Sequence, residues 1–307
     1  MAQFLLRRVG LSIFVVLVVT LLVAWAVRLS GDPAVMLAEG NAVTAQDLVN
    51  IRKSLGLDRP FSQQYFGFVT GMLTGDMGRS FMGGRPVARM IAQALPPTVL
   101  LAVLSLGASL LMSVPLGVHA AVNRGGAVDQ AIRVVSLMGL SFPNFWLAIM
   151  MVLVFSIELG WLPPSGADRM ASVVMPVATL AIILTATNVR LVRTAMLETL
   201  SAQYITVARS KGLTEFVVLY KHALRNCAIP LITYIGLQFG GLIGGVVVIE
   251  RVFNWPGMGS LAFDAVASRD YPVLQADVTV LAALIVLVNL VVDIVYGVVD
   301  PRVRAAR

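Results

Sequence analysis

The sequence contains few of the residues that build catalytic, metal-binding or disulfide-bonded sites. Its 307 residues include one cysteine, Cys227, so an internal disulfide is excluded, and its two histidines leave little scope for a metal site. The lysines are Lys53, Lys211 and Lys221, and none of them follows a glycine. Because a phosphate-binding loop needs the pattern Gly-x-x-x-x-Gly-Lys-Ser/Thr, this chain has no such loop.

Charge is also scarce, whereas long apolar runs are frequent. Charged residues make up 13% of the chain, apolar residues 58%, and the mean hydropathy is +0.87, so polar groups are too few to cover a water-exposed surface. Six runs reach about the 20 residues that a helix needs to cross hydrocarbon, and only Asp293 interrupts them. They are 9–27, 90–118, 134–157, 171–189, 226–249 and 278–299. Because lipid offers no partner for open backbone groups, the runs predict an all-α integral membrane protein with six spans.

The distribution of basic residues predicts the orientation. With six spans both termini lie on one side, and placing them in the cytoplasm also puts the basic residues of 190–225 there, as the positive-inside rule requires. The net charge of +7 is then explained without nucleic acid, which we do not expect as a partner. An Ala-Trp-Ala sequence at 24–26 resembles a signal-peptide cleavage site, but the apolar run is too long for a signal core. We therefore predict an uncleaved first span.

The pattern divides the chain into three parts. Residues 1–29 form a cytoplasmic N-terminus and the first span, 30–95 an external segment, and 96–307 a five-helix core that contains a cytoplasmic loop at 195–230. In the external segment, Thr44 to Asp47 begin a short helix that Gly56 ends, and residues 63–73 form a second helix.

The loop at 195–230 has the pattern of two short helices joined at Gly212. Gly212 follows Arg209 and Lys211, as expected where a helix ends on a left-handed glycine, and Thr214 can cap the next helix. The predicted apolar faces are Leu197, Leu200, Tyr204, Val207 and Ala208 on the first helix and Phe216, Leu219, Tyr220 and Ala223 on the second. The small Ala208 and Gly212 would let a partner protein approach closely, but a basic anchor to anionic lipid explains the same residues. The residue pattern leaves both interpretations open.

At this loop the sequence resembles a known family. Residues 208–212, 222–226 and 229–230 resemble the "EAA" loop of ABC-importer permeases, in the branch that imports dipeptides, oligopeptides and nickel. Further motifs of that branch occur at 31–33, 55–60, 75–80, 252–259, 269–272, 289–293 and 300–302. Residues 155–168 and 236–277 look most like glutathione- and dipeptide-type permeases. Val207-Ala208-Arg209 replaces the acidic EAA triplet and Arg225 stands near the expected proline, as is usual in the peptide branch.

The resemblance implies a type I importer assembly in the bacterial inner membrane. This chain would pair with a second homologous permease, and two ABC ATPase subunits and an external substrate-binding protein would complete the complex within membrane lipid. The resemblance assigns ATP and Mg²⁺ to the ATPase subunits, leaving this chain without cofactor, metal or catalytic residues. ATPase coupling would fall on Tyr204, Ala208, Arg209, Lys211, Gly212 and Thr214.

Polar and small residues inside the spans are each open to two interpretations. Gly236, Gly240, Gly241 and Gly244 form small-x-x-x-small patterns, which favour close helix packing over a smooth path for substrate. Asp293, with Asn289 one turn earlier, should face the bundle interior as a hydrogen-bond partner rather than a substrate contact. Glu250 beside Arg251 indicates an interfacial ion pair more than a substrate ligand.

Two other classes of protein fit the sequence less well. An ion-coupled secondary transporter would need acidic or histidine residues in several spans, yet Asp293 is the only well-embedded carboxylate. A membrane enzyme would need a cluster of catalytic groups at one depth, and no such cluster is visible.

Overall fold

In the part of the chain that the structure describes, the regular elements are all helices, which confirms the predicted all-α class. The computed structural model describes residues 2–29, 31–38 and 44–299, without the side chains of 2–5, 36–38, 228–230, 244–245 and 296–299. The helices in these ranges are α1 (Ala2–Leu29), α2 (Pro33–Ala38), α3 (Ala45–Ser54), α4 (Phe61–Thr74), α5 (Val87–Val122), α6 (Ala127–Ser141), α7 (Asn144–Met151), α8 (Val174–Leu200), α9 (Gln203–Ser210), α10 (Leu224–Val252), α11 (Met258–Ala267) and α12 (Tyr271–Val299). A 3-10 turn, Met170–Val173, precedes α8, and π-helical segments at Val152–Glu158 and Val217–Ala223 adjoin α7 and α10.

The number of membrane spans depends on how two bent helix pairs are counted. Four stretches are long and apolar enough to cross a membrane without a break: Leu6–Leu29, Val87–Val122, Met170–Leu200 and Tyr271–Val295. The predicted third span is instead two helices, Ala127–Ser141 and Asn144–Glu158, bent by 97°. The predicted fifth span is also a pair, Val217–Cys227 and Leu231–Ile243, bent by 59°. The predicted six spans are obtained if each bent pair counts as one span.

The bend in the third span lies at Phe142 and Pro143. Phe142 is extended, with φ −85° and ψ 131°, and α7 begins directly after Pro143. A proline ring disfavours helical backbone at the preceding residue, and the proline itself has no N–H to donate. The rings of Phe142 and Trp146 stack with centroids 4.7 Å apart beside the bend. A hydropathy profile does not detect this break, because it depends on side-chain composition and contains no information on backbone hydrogen-bond donors.

One compact unit consists of residues 1–98 and 256–287. In it, the Asp47 N–H donates to the Thr44 hydroxyl at 3.3 Å, while the Asp47 carboxylate accepts the Thr44 N–H at 2.9 Å. This capping box confirms the predicted start of α3, and its hydrogen bonds lower the pKa of Asp47. Gly56 has φ +68° just after α3, and α4 covers the predicted second helix.

The core of this unit includes residues that the sequence-based division assigns to the five-helix part. Its buried apolar cluster consists of Val87, Ile91, Ala94, Met258, Ala265, Val273 and Ala276. The buried Asp270 accepts hydrogen bonds from the Ser80 hydroxyl and, at 3.0 Å, from the Phe81 N–H. Residues 256–287 therefore pack in the same unit as the segment at 30–95.

The second compact unit consists of residues 99–255 and 288–307. It has two buried apolar clusters. The first includes Leu101, Ala148, Met175, Leu242, Ile249, Phe253 and Trp255. The second includes Val118, Val192, Met196, Ile205, Ala208, Val218, Ala223, Cys227 and Leu231. Several residues of the loop at 195–230 belong to the second cluster, so the loop is anchored in a buried apolar core.

A row of small residues on α5 lets it approach α8 within this unit. Ser105, Ser109 and Ser113 are fully buried at four-residue intervals, and Gly117 continues the row. A Cβ on Gly117 would lie only 2.6 Å from a side-chain atom of α8. Asn188 on α8 donates from Nδ2 to the Ser109 hydroxyl at 2.9 Å. Small residues at this spacing allow close helix packing in lipid. The sequence predicted small residues at this spacing in the fifth span, but the row on α5 was not predicted.

Candidate functional site

The segment between α8 and α10 is a short helix followed by a tight glycine turn. α8 ends at Leu200, where the Ser201 hydroxyl donates to the Glu198 carbonyl at 2.7 Å. Ala202 is extended, with φ −76° and ψ 143°, so the chain changes direction before α9 begins. α9 is therefore a separate two-turn helix, and its faces are not in phase with those of α8.

This change of direction overturns the predicted apolar face of the first helix. Ile205 and Ala208, three residues apart, are buried in the second cluster of the second unit, whereas Tyr204 and Val207 are exposed. Ala208 is thus part of the protein's own core, and the expectation that it lets a partner approach closely is wrong. The expected stripe assumed one continuous helical phase through Leu197 to Ala208, and the break at Ala202 removes that phase.

The glycine turn has the predicted geometry. Gly212 has φ +75°, and its N–H donates to the Arg209 carbonyl at 2.9 Å. No atom lies within 4 Å of a Cβ built on Gly212, so the conformation and not crowding within this chain requires glycine here. The Thr214 carbonyl accepts the Val218 N–H at 3.0 Å, and the next helix begins directly after Thr214.

An exposed ion pair closes this turn. Arg209 donates from Nε and Nη2 to the two carboxylate oxygens of Glu215, at 2.8 and 3.3 Å. Lys211 and Thr214 are both exposed. Since Glu215 neutralises Arg209, Lys211 is the one basic side chain between residues 209 and 215 without an ion-pair partner in the described part of the chain.

The helix after the turn also differs from its predicted face. It starts with the π-helical segment Val217–Ala223, in which hydrogen bonds span five residues and the side chains rotate out of the α-helical phase. As a result Val218 and Ala223 are buried, while Phe216 is 70% exposed and packs against Tyr220, with ring centroids 4.8 Å apart and ring planes tilted by 31°. The predicted grouping of Phe216 with Ala223 on one face is wrong.

Exposed apolar side chains therefore surround the glycine turn. They are Tyr204, Val207, Leu213 and Phe216. The Tyr204 hydroxyl accepts a hydrogen bond of 2.9 Å from Nδ2 of Asn226, which fixes its ring. We call residues 204–216 the turn surface. Of the six predicted coupling residues, the structure brings Tyr204, Arg209, Lys211, Gly212 and Thr214 to this surface and withdraws Ala208 into the core.

A buried ion pair that the sequence did not reveal holds α6 to α8 in the same unit. Arg193 binds both carboxylate oxygens of Asp129, with Nε–Oδ1 at 2.6 Å and Nη2–Oδ2 at 2.7 Å. The Gly125 N–H also donates to Asp129, at 2.9 Å. Asp129 is completely buried, so the pair is shielded from water. The two residues are 64 positions apart, and sequence spacing alone could not connect them.

The glycines of α10 differ in their surroundings. A Cβ on Gly236 would lie 2.1 Å from Cγ2 of Val292 on α12, whereas a Cβ on Gly241 would meet no atom within 4 Å. Gly236 therefore sits at a close contact between two helices. Gly240 is half-buried, and Gly244 is outside the residues whose side-chain positions are described. A smooth path for substrate along these glycines stays a prediction.

The remaining predicted membrane residues also lie in different surroundings. Glu250 is fully buried, while its neighbour Arg251 is exposed. The helix turns the Glu250 side chain into the protein, and the ion pair predicted for Glu250 and Arg251 stays a prediction. Asn289 and Asp293 are half-buried on α12. The roles proposed for them stay predictions.

Replacement of Gly236 by leucine should destabilise the second unit. The new side chain would occupy the position of Val292, and overpacking of a tight contact typically costs about 1–3 kcal/mol. We expect a lower thermal midpoint for the purified protein, and partial recovery when Val292→Ala is added. Gly241→Leu is the control, since space is open there within this chain. Equal midpoints for the two single variants would contradict the close contact.

Comparisons with known proteins match nearly the whole chain. The family model described as "Binding-protein-dependent transport system inner membrane component" matches residues 113–305, and the N-terminal model of such membrane components matches residues 1–102. The glutathione transport system permease protein GsiC of Pectobacterium atrosepticum is 40% identical over 301 residues, which is 98% of each chain. GsiC of Escherichia coli (strain K12) is 40% identical over 298 residues, 97% of each chain.

A solved structure shares the fold. The inward-facing MetNI methionine ABC transporter aligns with a TM-score of 0.60 at 18% identity, over 69% of this chain and 96% of that one. At this level of identity the likeness concerns the fold alone.

Proposed function

Because this chain belongs to the family of inner membrane components of binding-protein-dependent transport systems, we propose that it imports small peptides with energy from ATP that separate subunits hydrolyse. The family and the fold are those of an ABC permease, so the rival assignment to an ion-coupled transporter is set aside. The chain forms the membrane pathway, and the proposal concerns its energy source, substrate and partners.

The observation that carries the proposal is the turn surface. It exposes Val207, Leu213 and Phe216 around a rigid glycine turn, and Ile205 and Ala208 fix its base in the core. A lipid anchor would need free positive charge, but the Arg209–Glu215 pair leaves Lys211 as the remaining unpaired cation of the turn. An apolar surface on a stiff base suits a groove of another protein better. We therefore place ATPase contact on this surface.

The partners and orientation follow from the same assignment. We propose a second, homologous permease as the other half of the pathway, two ATPase subunits at the turn surface, and a substrate-binding protein on the opposite side. Both termini and the turn surface would then be cytoplasmic and the segment at 30–95 external. This chain would bind no cofactor, since ATP and Mg²⁺ act on the ATPase subunits. The glutathione permeases among its relatives make a small peptide such as glutathione the favoured substrate.

Reconstitution tests the proposal. The chain would be placed in proteoliposomes with its second permease and both ATPases, with the binding protein outside, and uptake of labelled glutathione and dipeptides would be measured. We expect uptake only when ATP and every subunit are present. Uptake by this chain alone, driven by an ion gradient without ATP, would overturn the proposed energy source.

The external segment should contribute to docking of the binding protein. α3 has no buried residue, and its positions 46, 49, 50 and 53 are exposed. Shuffling these four side chains, while keeping Thr44, Asp47 and Arg52, should raise the binding-protein concentration for half-maximal uptake by about tenfold, as loss of interface contacts does. Basal ATPase activity should not change. An unaltered half-maximal concentration would contradict a docking role for α3.

A further inference from the structure

The first unit contains a cavity of about 420 Å³, and none of the residues predicted for the pathway lines it. It is formed by the end of α1, the turn between α3 and α4, one face of α4, the loop after α4 and the start of α12. Seven of its lining residues carry the argument: Arg28, Arg59, Gln64, Gly67, Gly71, Asp76 and Gln275. A cavity of this volume lies in the range of small-molecule sites.

One end of this cavity is cationic. Arg28 donates from Nη2 to Oε1 of Gln64 at 2.5 Å, and Nε2 of Gln64 donates to the Arg59 carbonyl at 2.7 Å. Gln64 therefore orients Arg28 beside the backbone of Arg59. Neither arginine forms an ion pair with a carboxylate in the part of the chain that the structure describes. Two guanidinium groups without a carboxylate partner favour an anionic ligand.

The other end of the cavity carries a carboxylate. Asp76 lines the cavity there, and its backbone carbonyl lies against Gly71 of α4. One oxygen of its carboxylate, Oδ1, accepts the Gly78 N–H at 3.0 Å. Gly71 follows Gln64 by seven residues, which is about 10 Å along a helix. Between them Gly67 has no atom within 4 Å of a built Cβ, so the α4 face of the cavity is open there.

Gln275 adds an unused hydrogen-bond donor. It lines the cavity from α12, is only 7% exposed, and its Nε2 has no acceptor among the described residues. A buried amide without a partner is destabilising, and a ligand that accepts a hydrogen bond would relieve that cost.

We propose that this cavity binds a small peptide with an acidic last residue, which has two carboxylates at one end and its ammonium group at the other. The carboxylates would pair with Arg28 and Arg59, and the ammonium would pair with Asp76. An extended chain of three residues spans about 10 Å, which matches the distance from Gln64 to Gly71 along α4. Asp76 disfavours an anionic lipid such as phosphatidylglycerol, whose headgroup carries no positive charge. The inference rests on the proposed function, and it adds an external site that would concentrate substrate and that contains none of the residues predicted for the pathway.

The test measures binding of the tripeptide Gly-Gly-Glu, whose two carboxylates are on its last residue and whose ammonium is on its first. Binding to the complete transporter in neutral-lipid nanodiscs is measured by calorimetry, without ATP or binding protein. Arg59→Gln should weaken binding about tenfold to a hundredfold, the effect of losing one charged hydrogen-bond partner. Gly67→Met, which fills the cavity without changing charge, should abolish binding. Arg89→Gln is the matched control, because Arg89 is exposed and does not line the cavity. Triglycine, with one carboxylate, should bind about tenfold more weakly than Gly-Gly-Glu.

The other results would overturn the site. Gly-Gly-Glu affinity that Arg59→Gln and Gly67→Met leave unchanged would place any binding elsewhere. Gly-Gly-Glu binding that is absent in neutral nanodiscs, with phosphatidylglycerol bound by the wild-type protein and not by Arg59→Gln, would assign the cavity to lipid. ATP-driven uptake distinguishes this failure from failure of the proposed function: normal uptake with no effect of the variants removes the cavity site alone, whereas no ATP-driven uptake of any peptide removes the function.

Discussion

Replacement of Gly212 by aspartate should reduce ATP-dependent peptide uptake at least tenfold while membrane insertion stays intact. Gly212 has φ +75° in an open turn, so the new side chain would project from the turn surface. The backbone strain of a non-glycine residue there is roughly 1–2 kcal/mol, which is small against typical folding stability. The larger effect is a charged side chain inserted into an apolar contact with the ATPase, where it would be desolvated. Uptake and ATPase activity are measured together, and we expect hydrolysis to lose its stimulation by the binding protein.

A second glycine with the same backbone conformation provides the control. Gly84 has φ +62° and open space around a built Cβ, but it belongs to the first unit and is not part of the turn surface. Gly84→Asp should bear similar strain and leave uptake near the wild-type rate. If both variants transport at that rate, the turn surface has no role in coupling; if both fail equally, strain and not contact explains the loss.

Removal of either partner of the Asp129–Arg193 pair should destabilise the protein by about 3–5 kcal/mol. Asp129→Asn would leave Arg193, whose side chain is only 19% exposed, without its counter-charge. It would also change an acceptor of the Gly125 N–H. We expect a lower thermal midpoint and a proportional loss of folded protein in the membrane, since this loss is a large part of a typical folding free energy.

The exposed Arg209–Glu215 pair in the turn surface shows why the loss of stability depends on how deeply an ion pair is buried. Arg209 and Glu215 have side-chain exposures of 46% and 60%, so Glu215→Gln should cost less than about 1 kcal/mol. The double variant Asp129→Leu with Arg193→Met should recover most of the stability lost in Asp129→Asn, because apolar side chains need no counter-charge. A midpoint for Asp129→Asn equal to that for Glu215→Gln would contradict the importance of the buried pair.

The buried Asp129–Arg193 pair would also affect how a movement of the turn surface is transmitted to other helices of the proposed pathway. Arg193 lies seven residues before the end of α8, and α9 follows directly. Asp129 is in the first turn of α6, so the pair joins two helices near the base of the turn surface. A push on α9 would then move α6 together with α8 as one body, which is the usual way in which packed elements transmit a shift.

Local features of the sequence predicted local structure well. The capping box at Thr44 and Asp47 and the left-handed Gly212 are confirmed, because each depends on residues within a few positions of one another. The predicted apolar faces were wrong where the helical periodicity was continued across a break in the helix. A turn at Ala202 and a π-helical segment after Phe216 each rotated the buried face, which moved Ala208 inward and Phe216 outward.

The sequence by itself determined that this is a helical membrane protein without a phosphate-binding loop, and its motifs determined the family. Composition and short motifs suffice for these conclusions, because a lipid environment leaves the apolar runs little choice but helix. Only the tertiary structure decided which side chains face a partner, that Asp129 meets Arg193, and that Arg28, Arg59 and Asp76 line one cavity. These groups are far apart in sequence, so their proximity depends on how helices bend and pack, which no local pattern encodes.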